Sequence, residues 1–224
     1  MKNKKVLTLF ACLGILGCSI GGSMAWLTTE TKDVVNTFTV GDINIQISET
    51  DMEEVKDGSD NITGYTKDYT FVPGQTLLKD PKVTVKAGSE ASYLFLRVQE
   101  ANNSITVDGD TANPIIVWDV IEDGTNEWIP VTGHDGYWYR EVADLSNAAD
   151  DVRFWVLTPG ADDGDASTLE QNGHVTISED VTKAMVSGIN AAAPTLTFTA
   201  AAVQKDNVAD VAAAFAKLPI EFTN

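Results

Sequence analysis

The sequence predicts an all-β chain: a jelly-roll-like antiparallel β-sandwich with one or two short helices, preceded by a signal peptide. Three observations carry this. Short runs rich in Val, Ile, Thr, Tyr, Phe and Trp alternate with Gly, Asp and Asn clusters along most of the chain. Asp-Gly pairs, which tolerate positive φ and so favour tight turns, recur at Asp108-Gly109, Asp123-Gly124, Asp135-Gly136 and Asp163-Gly164. Helical periodicity is confined to short stretches near the C-terminus. Many short strands with closely spaced turn signals argue for a sandwich.

The elements follow in order. Residues 1–25 read as a signal peptide: Lys2, Lys4 and Lys5 precede an apolar run from Val6 to Ile20, and small residues lead to Ser23-Met24-Ala25. The run is short for a membrane span, which needs ~20 apolar residues. Cleavage after Ala25 leaves Trp26 at the new N-terminus. Two alternatives stand beside this: an uncleaved N-terminal anchor, and a lipoprotein box at Ile15-Leu16-Gly17-Cys18 with Cys18 acylated, in which Leu16 is bulky for its place. Residues 26–35 form an N-terminal extension, and 36–224 form the sandwich domain.

The first strand run holds Phe38, Val40, Ile43, Ile45 and Ile47, with a bulge or bend expected at Gly41-Asp42. Residues 50–67 are polar and acidic and read as a loop. Pro73-Gly74 marks a turn. Val83 and Val85 alternate with polar residues. Tyr93, Phe95 and Arg97 alternate with Leu94, Leu96 and Val98, giving a strand with an aromatic face and an aliphatic one. Further strands are expected at 115–120, 127–131, 137–142, 152–157, 174–178 and 195–204, with a last one at 217–223. A helix is expected over 207–217, capped by Asp206 or Asn207, and another turn or two over 179–187.

Composition narrows the function. The formal charge is −18, and loss of the three signal lysines takes it to −21. Such a surface repels nucleic acid and anionic lipid, so no nucleic-acid partner is expected. Cys12 and Cys18 are the only cysteines, and both lie in the signal. The mature chain therefore has no disulfide, thiolate nucleophile or thiolate-bound metal. Its core alone must hold it, which a chain of this length permits by burying ~70% of its unfolded surface.

Catalytic signatures are missing from the sequence. His134 and His174 are the only histidines and sit far apart; His134, in Gly133-His134-Asp135-Gly136, reads as part of a turn. There is no zinc-protease motif, nucleophile elbow, P-loop or dinucleotide fingerprint. No catalytic residue and no cofactor are assigned. Asp162, Asp163 and Asp165 form the densest acidic loop and are weak Ca²⁺ candidates, since that ion takes carboxylate oxygens. Trp118, Trp128, Trp138 and Trp155 fall on predicted strands, where core packing and a carbohydrate-binding platform are the two readings. Trp26, beside Leu27, precedes any clear strand and suits a segment that docks on a neighbour.

Several blocks resemble one family. AWLTTET (25–31), NTFTVGDINIQISE (36–49), FVPGQTLLKDPKVTVKAGSEASYLFLRV (71–98), DGYWYR (135–140) and LTFTAAAVQKDN (196–207) occur in the order seen in the TasA/camelysin family of SipW-dependent exported proteins, which includes biofilm-matrix fibre subunits. The resemblance implies a secreted jelly roll in the extracellular matrix or on the cell surface of a bacterium. It implies a dedicated signal peptidase as one partner, with an accessory matrix or anchoring protein as another. It also implies head-to-tail self-assembly by strand exchange, in which the segment freed by signal cleavage completes the sheet of the next subunit. The expected donor runs from Trp26 to about Val35, with Trp26, Leu27, Val34 and Val35 as apolar anchors and Phe38 and Val40 as its continuation. Thr28 to Asp33 contains no apolar residue, so the register is not given by alternation. A camelysin-like metalloendopeptidase and a monomeric adhesin are the alternatives; no zinc motif is present to carry the first.

Overall fold

The computed structural model describes residues 28–32, 36–37, 43–59, 62–70, 72–107, 110–122, 127–158, 173–182 and 193–223. The strands are β1 (Thr28–Lys32), β2 (Asn36–Thr37), β3 (Asn44–Ser48), β4 (Glu53–Lys56), β5 (Ile62–Thr66), β6 (Thr76–Leu78), β7 (Lys82–Val85) and β8 (Ser92–Ala101). They continue as β9 (Ile105–Val107), β10 (Asp110–Asn113), β11 (Ile116–Val117), β12 (Ile129–Pro130), β13 (Tyr137–Val142), β14 (Val152–Trp155), β15 (His174–Ile177) and β16 (Thr195–Gln204). Two short helices close the chain, α1 (Val211–Phe215) and α2 (Ile220–Thr223).

The fold is all-β, as expected. A five-stranded sheet in the order β1-β16-β8-β13-β12 faces a four-stranded sheet in the order β14-β7-β3-β2. The pairings in both are antiparallel. A three-stranded sheet, β11-β15-β6, packs on the main core through Val175, Leu77 and Ile116. Its apolar side packs with Ile105, Ile115 and Val181 into a small cluster of its own.

The two faces of β8 separate as its alternation predicts. Leu94, Leu96 and Val98 join Phe198, Ala200 and Ala202 of β16 against Ile45, Ile47, Val83, Val85 and Phe154 of the smaller sheet. Tyr93 and Phe95 face the other way and, with Ala201 and Val203, are covered by Phe215, Leu218 and Phe222. The C-terminal segment is thus a lid on the outer face of the large sheet. That is why the run from Thr199 to Gln204 is buried on both sides, with three small alanines at its centre.

Several local expectations are corrected. Residues 50–67 are not simply a loop: β4 and β5 form a hairpin. The side chains of β4 are exposed, so no apolar alternation marks it. The stretch 217–223 is not a strand; Pro219 accepts hydrogen bonds from the Phe222 and Thr223 amides, and the chain coils into α2. The helix expected over 207–217 starts later. Asn207 has positive φ, and Asp210, extended, caps α1 by accepting from the Ala213 N–H at 2.8 Å. Among the aromatic residues, Trp128 is fully buried, whereas Trp118 and Trp138 are half-buried and meet edge to face at 6.1 Å. No helix among the described residues is long and apolar enough to cross a membrane.

Candidate assembly edge

A sandwich has two seams, where the edges of its sheets come together, and here the two differ. On the β12/β14 side the seam is sealed by side chains and by a bridge. Val120 pairs with Leu157, and the Ile121 N–H donates to Val156 O at 2.9 Å. Trp128 lies in the interior and its Nε1–H donates to Trp155 O at 2.7 Å. The Arg140 guanidinium stacks 3.6 Å over the Phe154 ring and 5.6 Å from that of Trp128. Burial pulls the Arg140 pKa down to about 10.

The β16/β3 seam is closed differently. Its only described strands beyond β16 and β3 are the first two of the chain. β1 lies antiparallel along β16, Thr28 opposite Val203 and Lys32 opposite Thr199. β2 then lies on β3, Asn36 opposite Ile45 and Thr37 opposite Asn44. The N-terminal segment therefore steps from one sheet to the other across this seam. Among the described residues, β1 pairs with Thr199 to Val203 of β16, which is itself paired with β8 along all ten of its residues. β2 pairs with Asn44 and Ile45 of β3.

Beside the Ser48 end of β3 and the Thr195 end of β16 lies a cavity of about 490 Å³, lined by residues 47–49, 65–69 and 193–198 together with Leu77, Lys79, Ile116 and Ile177. One wall is polar and internally satisfied. The Tyr69 hydroxyl donates to Glu49 Oε1, and Lys79 Nζ sits 3.0 Å from Glu49 Oε2. Burial, then the hydrogen bond to Glu49, pushes the Tyr69 phenol well above its usual range. Lys79 Nζ also lies 5.1 Å from the Phe198 ring centroid. Behind it, Thr50 donates through its amide and hydroxyl to Asp80, at 2.9 and 2.6 Å, which ties the base of the β4–β5 hairpin to the sandwich. Sequence reading missed this cluster because its members come from separate strands and loops. Each looks, by itself, like one more charge on an acidic surface.

The predicted site residues distribute as follows. The central part of the expected donor, residues 28–32, is an edge strand of the large sheet. Ser23, Met24, Ala25, Trp26, Leu27, Val34, Val35, Phe38 and Val40 lie outside the described residues, as do Asp162, Asp163 and Asp165. His134 sits in the turn before β13 with its ring 4.2 Å from that of Phe215, and His174 lies on β15. Among the described residues, no three His, Cys, Asp or Glu side chains group as a metal site.

Comparison with known proteins found no matching family model, no matching curated protein and no matching solved structure.

Proposed function

We propose that this chain is a secreted structural subunit of a cell-surface or biofilm-matrix fibre, assembling head to tail by exchange of its N-terminal strand. One observation carries the reading. The strand at the β16 edge is the first described segment of the chain, and with β2 it spans the seam between the two sheets. A strand so placed can leave its own subunit and pair with another without disturbing the core.

Energetics support its release. β1 makes a five-residue register and has the sequence TTETK, with no apolar residue to bury. Its ladder hydrogen bonds contribute about 1 kcal/mol each. Ordering its backbone costs about 1–2 kcal/mol per residue. The two nearly cancel, so β1 detaches locally at little cost. Once free, it leaves the unpaired N–H and C=O groups of β16 as a template for another chain. Because donor and acceptor are different surfaces, the contact does not close on itself and propagates as a filament. The order of sequence blocks shared with the TasA/camelysin proteins supports the same reading, and the signal-like residues 1–25 support export.

The test is electron microscopy of protein beginning at Trp26 beside protein beginning at Asn36. Filaments from the first alone are expected. Monodisperse particles from both would remove self-assembly as the function.

A further inference from the structure

Cations and aromatic rings are paired across much of this molecule. A lysine or arginine stands over Trp128, Trp155, Tyr69, Tyr93, Tyr137 and Phe154. Among the described residues, Trp118 and Trp138 have no such neighbour. They meet each other instead, edge to face, with centroids 6.1 Å apart and planes at 70°.

The surroundings of this pair are anionic. Trp138, on β13 opposite Leu96, donates through Nε1–H to Glu122 Oε1 at 2.9 Å. Trp118 donates in the same way to Glu100 Oε1 of β8. Both indoles rest on the main core and are half-buried, while both carboxylates are exposed. Among the described residues, neither carboxylate meets a lysine or arginine. An indole N–H satisfies an oxygen but neutralises no charge. The chain has 33 Asp and Glu against 15 Lys and Arg, so its own cations are too few to balance every such place.

We propose that Trp118, Trp138, Glu100 and Glu122 form a surface site for a small organic cation, an alkylammonium ion of the quaternary, choline-like kind. The site is separate from strand exchange and does not depend on it. A tryptophan face attracts a cation within ~6 Å of its centre, more strongly than any other side-chain ring. Two rings inclined at 70° leave a corner bordered by a face of each, where one cation touches both. Each carboxylate accepts an in-plane N–H and so lies at a ring edge, adding attraction without covering a face. The core and these hydrogen bonds already hold the rings, so little side-chain freedom is lost on binding.

The chemistry also selects among cations. A quaternary ammonium brings methyl groups to the indole surface, whereas Ca²⁺ takes six to eight oxygen ligands, more than two separate carboxylates supply. The same ammonium joined to a phosphate would bring an anion towards Glu100 and Glu122. A free cation is therefore assigned, rather than a lipid headgroup.

The experiment compares choline with 3,3-dimethylbutan-1-ol, which has the same shape and no charge. Binding to the full chain is followed by tryptophan fluorescence and by saturation-transfer NMR of the ligand methyl groups, at fixed ionic strength. Choline is expected to bind at least about tenfold more tightly than either the alcohol or phosphocholine. E100Q/E122Q keeps an acceptor oxygen for each indole and removes both charges. It should retain a cooperative thermal transition and lose about tenfold in choline affinity, with alcohol binding unchanged. W138L keeps an apolar side chain on the core and removes one ring, and should lose choline binding to a similar degree; if it does not fold, the glutamine variant carries the test. Equal binding of choline and the alcohol would overturn the proposal, as would no choline binding, or unchanged choline affinity in E100Q/E122Q. Tighter binding of an uncharged oligosaccharide than of choline would overturn it in favour of a carbohydrate platform. Phosphocholine bound as tightly as choline would overturn the choice of a free cation.

Discussion

Replacing Trp128 with phenylalanine tests whether the β12/β14 seam is sealed as the geometry indicates. Trp128 is fully buried, and its Nε1–H donates to Trp155 O at 2.7 Å. Phenylalanine keeps an aromatic face for the Arg140 guanidinium but has no donor. The stranded carbonyl costs about 1–3 kcal/mol, since a buried acceptor without a partner loses the hydration it had when unfolded. The smaller ring leaves a void worth about 1 kcal/mol more. The two costs fall on one site and share relaxation, so a total of about 2–3 kcal/mol is expected. Urea unfolding followed by far-ultraviolet circular dichroism measures it. With a slope of about 2.5 kcal/mol per molar urea, the midpoint should fall by about 1 M with the slope unchanged. W118F is the control: Trp118 is half-buried and donates to the exposed Glu100, so its effect should stay near 0.5 kcal/mol. A W128F midpoint within about 0.2 M of wild type would refute the claim that this tryptophan seals the seam.

Two further predictions concern the frame around the cavity and the response to pH. Gly173 has φ +78, and a Cβ there would stand 2.1 Å from the Lys79 carbonyl oxygen; G173A should destabilise the fold by about 3 kcal/mol or more, read as a lowered unfolding midpoint, and a neutral outcome would show that the β6–β15 pairing is looser than described. The Asp151 carboxylate is held below its ordinary pKa, first by the Ala87 N–H and then by Lys86. It therefore contributes stability above the ordinary carboxylate pKa and loses it as pH falls through the lower folded value. The melting temperatures of wild type and D151N should separate above the ordinary carboxylate pKa and converge as the pH falls through the lower folded one; a gap that does not vary with pH would contradict this assignment.

Much of the fold was legible in the sequence because alternation reports burial directly. Tyr93 to Val98 spelled out a strand with two different faces, and the structure gives each face its own partner layer. Val83 and Val85 likewise marked a core strand. Legibility failed where burial does not alternate. Glu53 to Lys56 form a strand with every side chain in solvent, held by backbone pairing to β5 and by clamps at its base. Ile220 to Thr223 carry the apolar content of a strand. Placed after Pro219, with Phe222 alone fully buried, they coil instead. Thr28 to Lys32 carry no apolar residue, so alternation gave no register for them; the structure makes them an edge strand of the large sheet.

By itself the sequence determined the all-β class, the turns at Pro73-Gly74 and Asp135-Gly136, the acidic composition, and the absence of any cysteine beyond Cys18. These are local properties, set by residue type and by spacing within one segment. Tertiary structure alone decided that the two seams differ, that β1 pairs with β16 while β2 pairs with β3, and that Glu49, Tyr69 and Lys79 meet in one cavity with Phe198 of β16. Those facts depend on which strands become neighbours across more than a hundred residues. Pairing partners in a sheet are chosen by the packing of the whole core, and no single stretch of the chain contains that information.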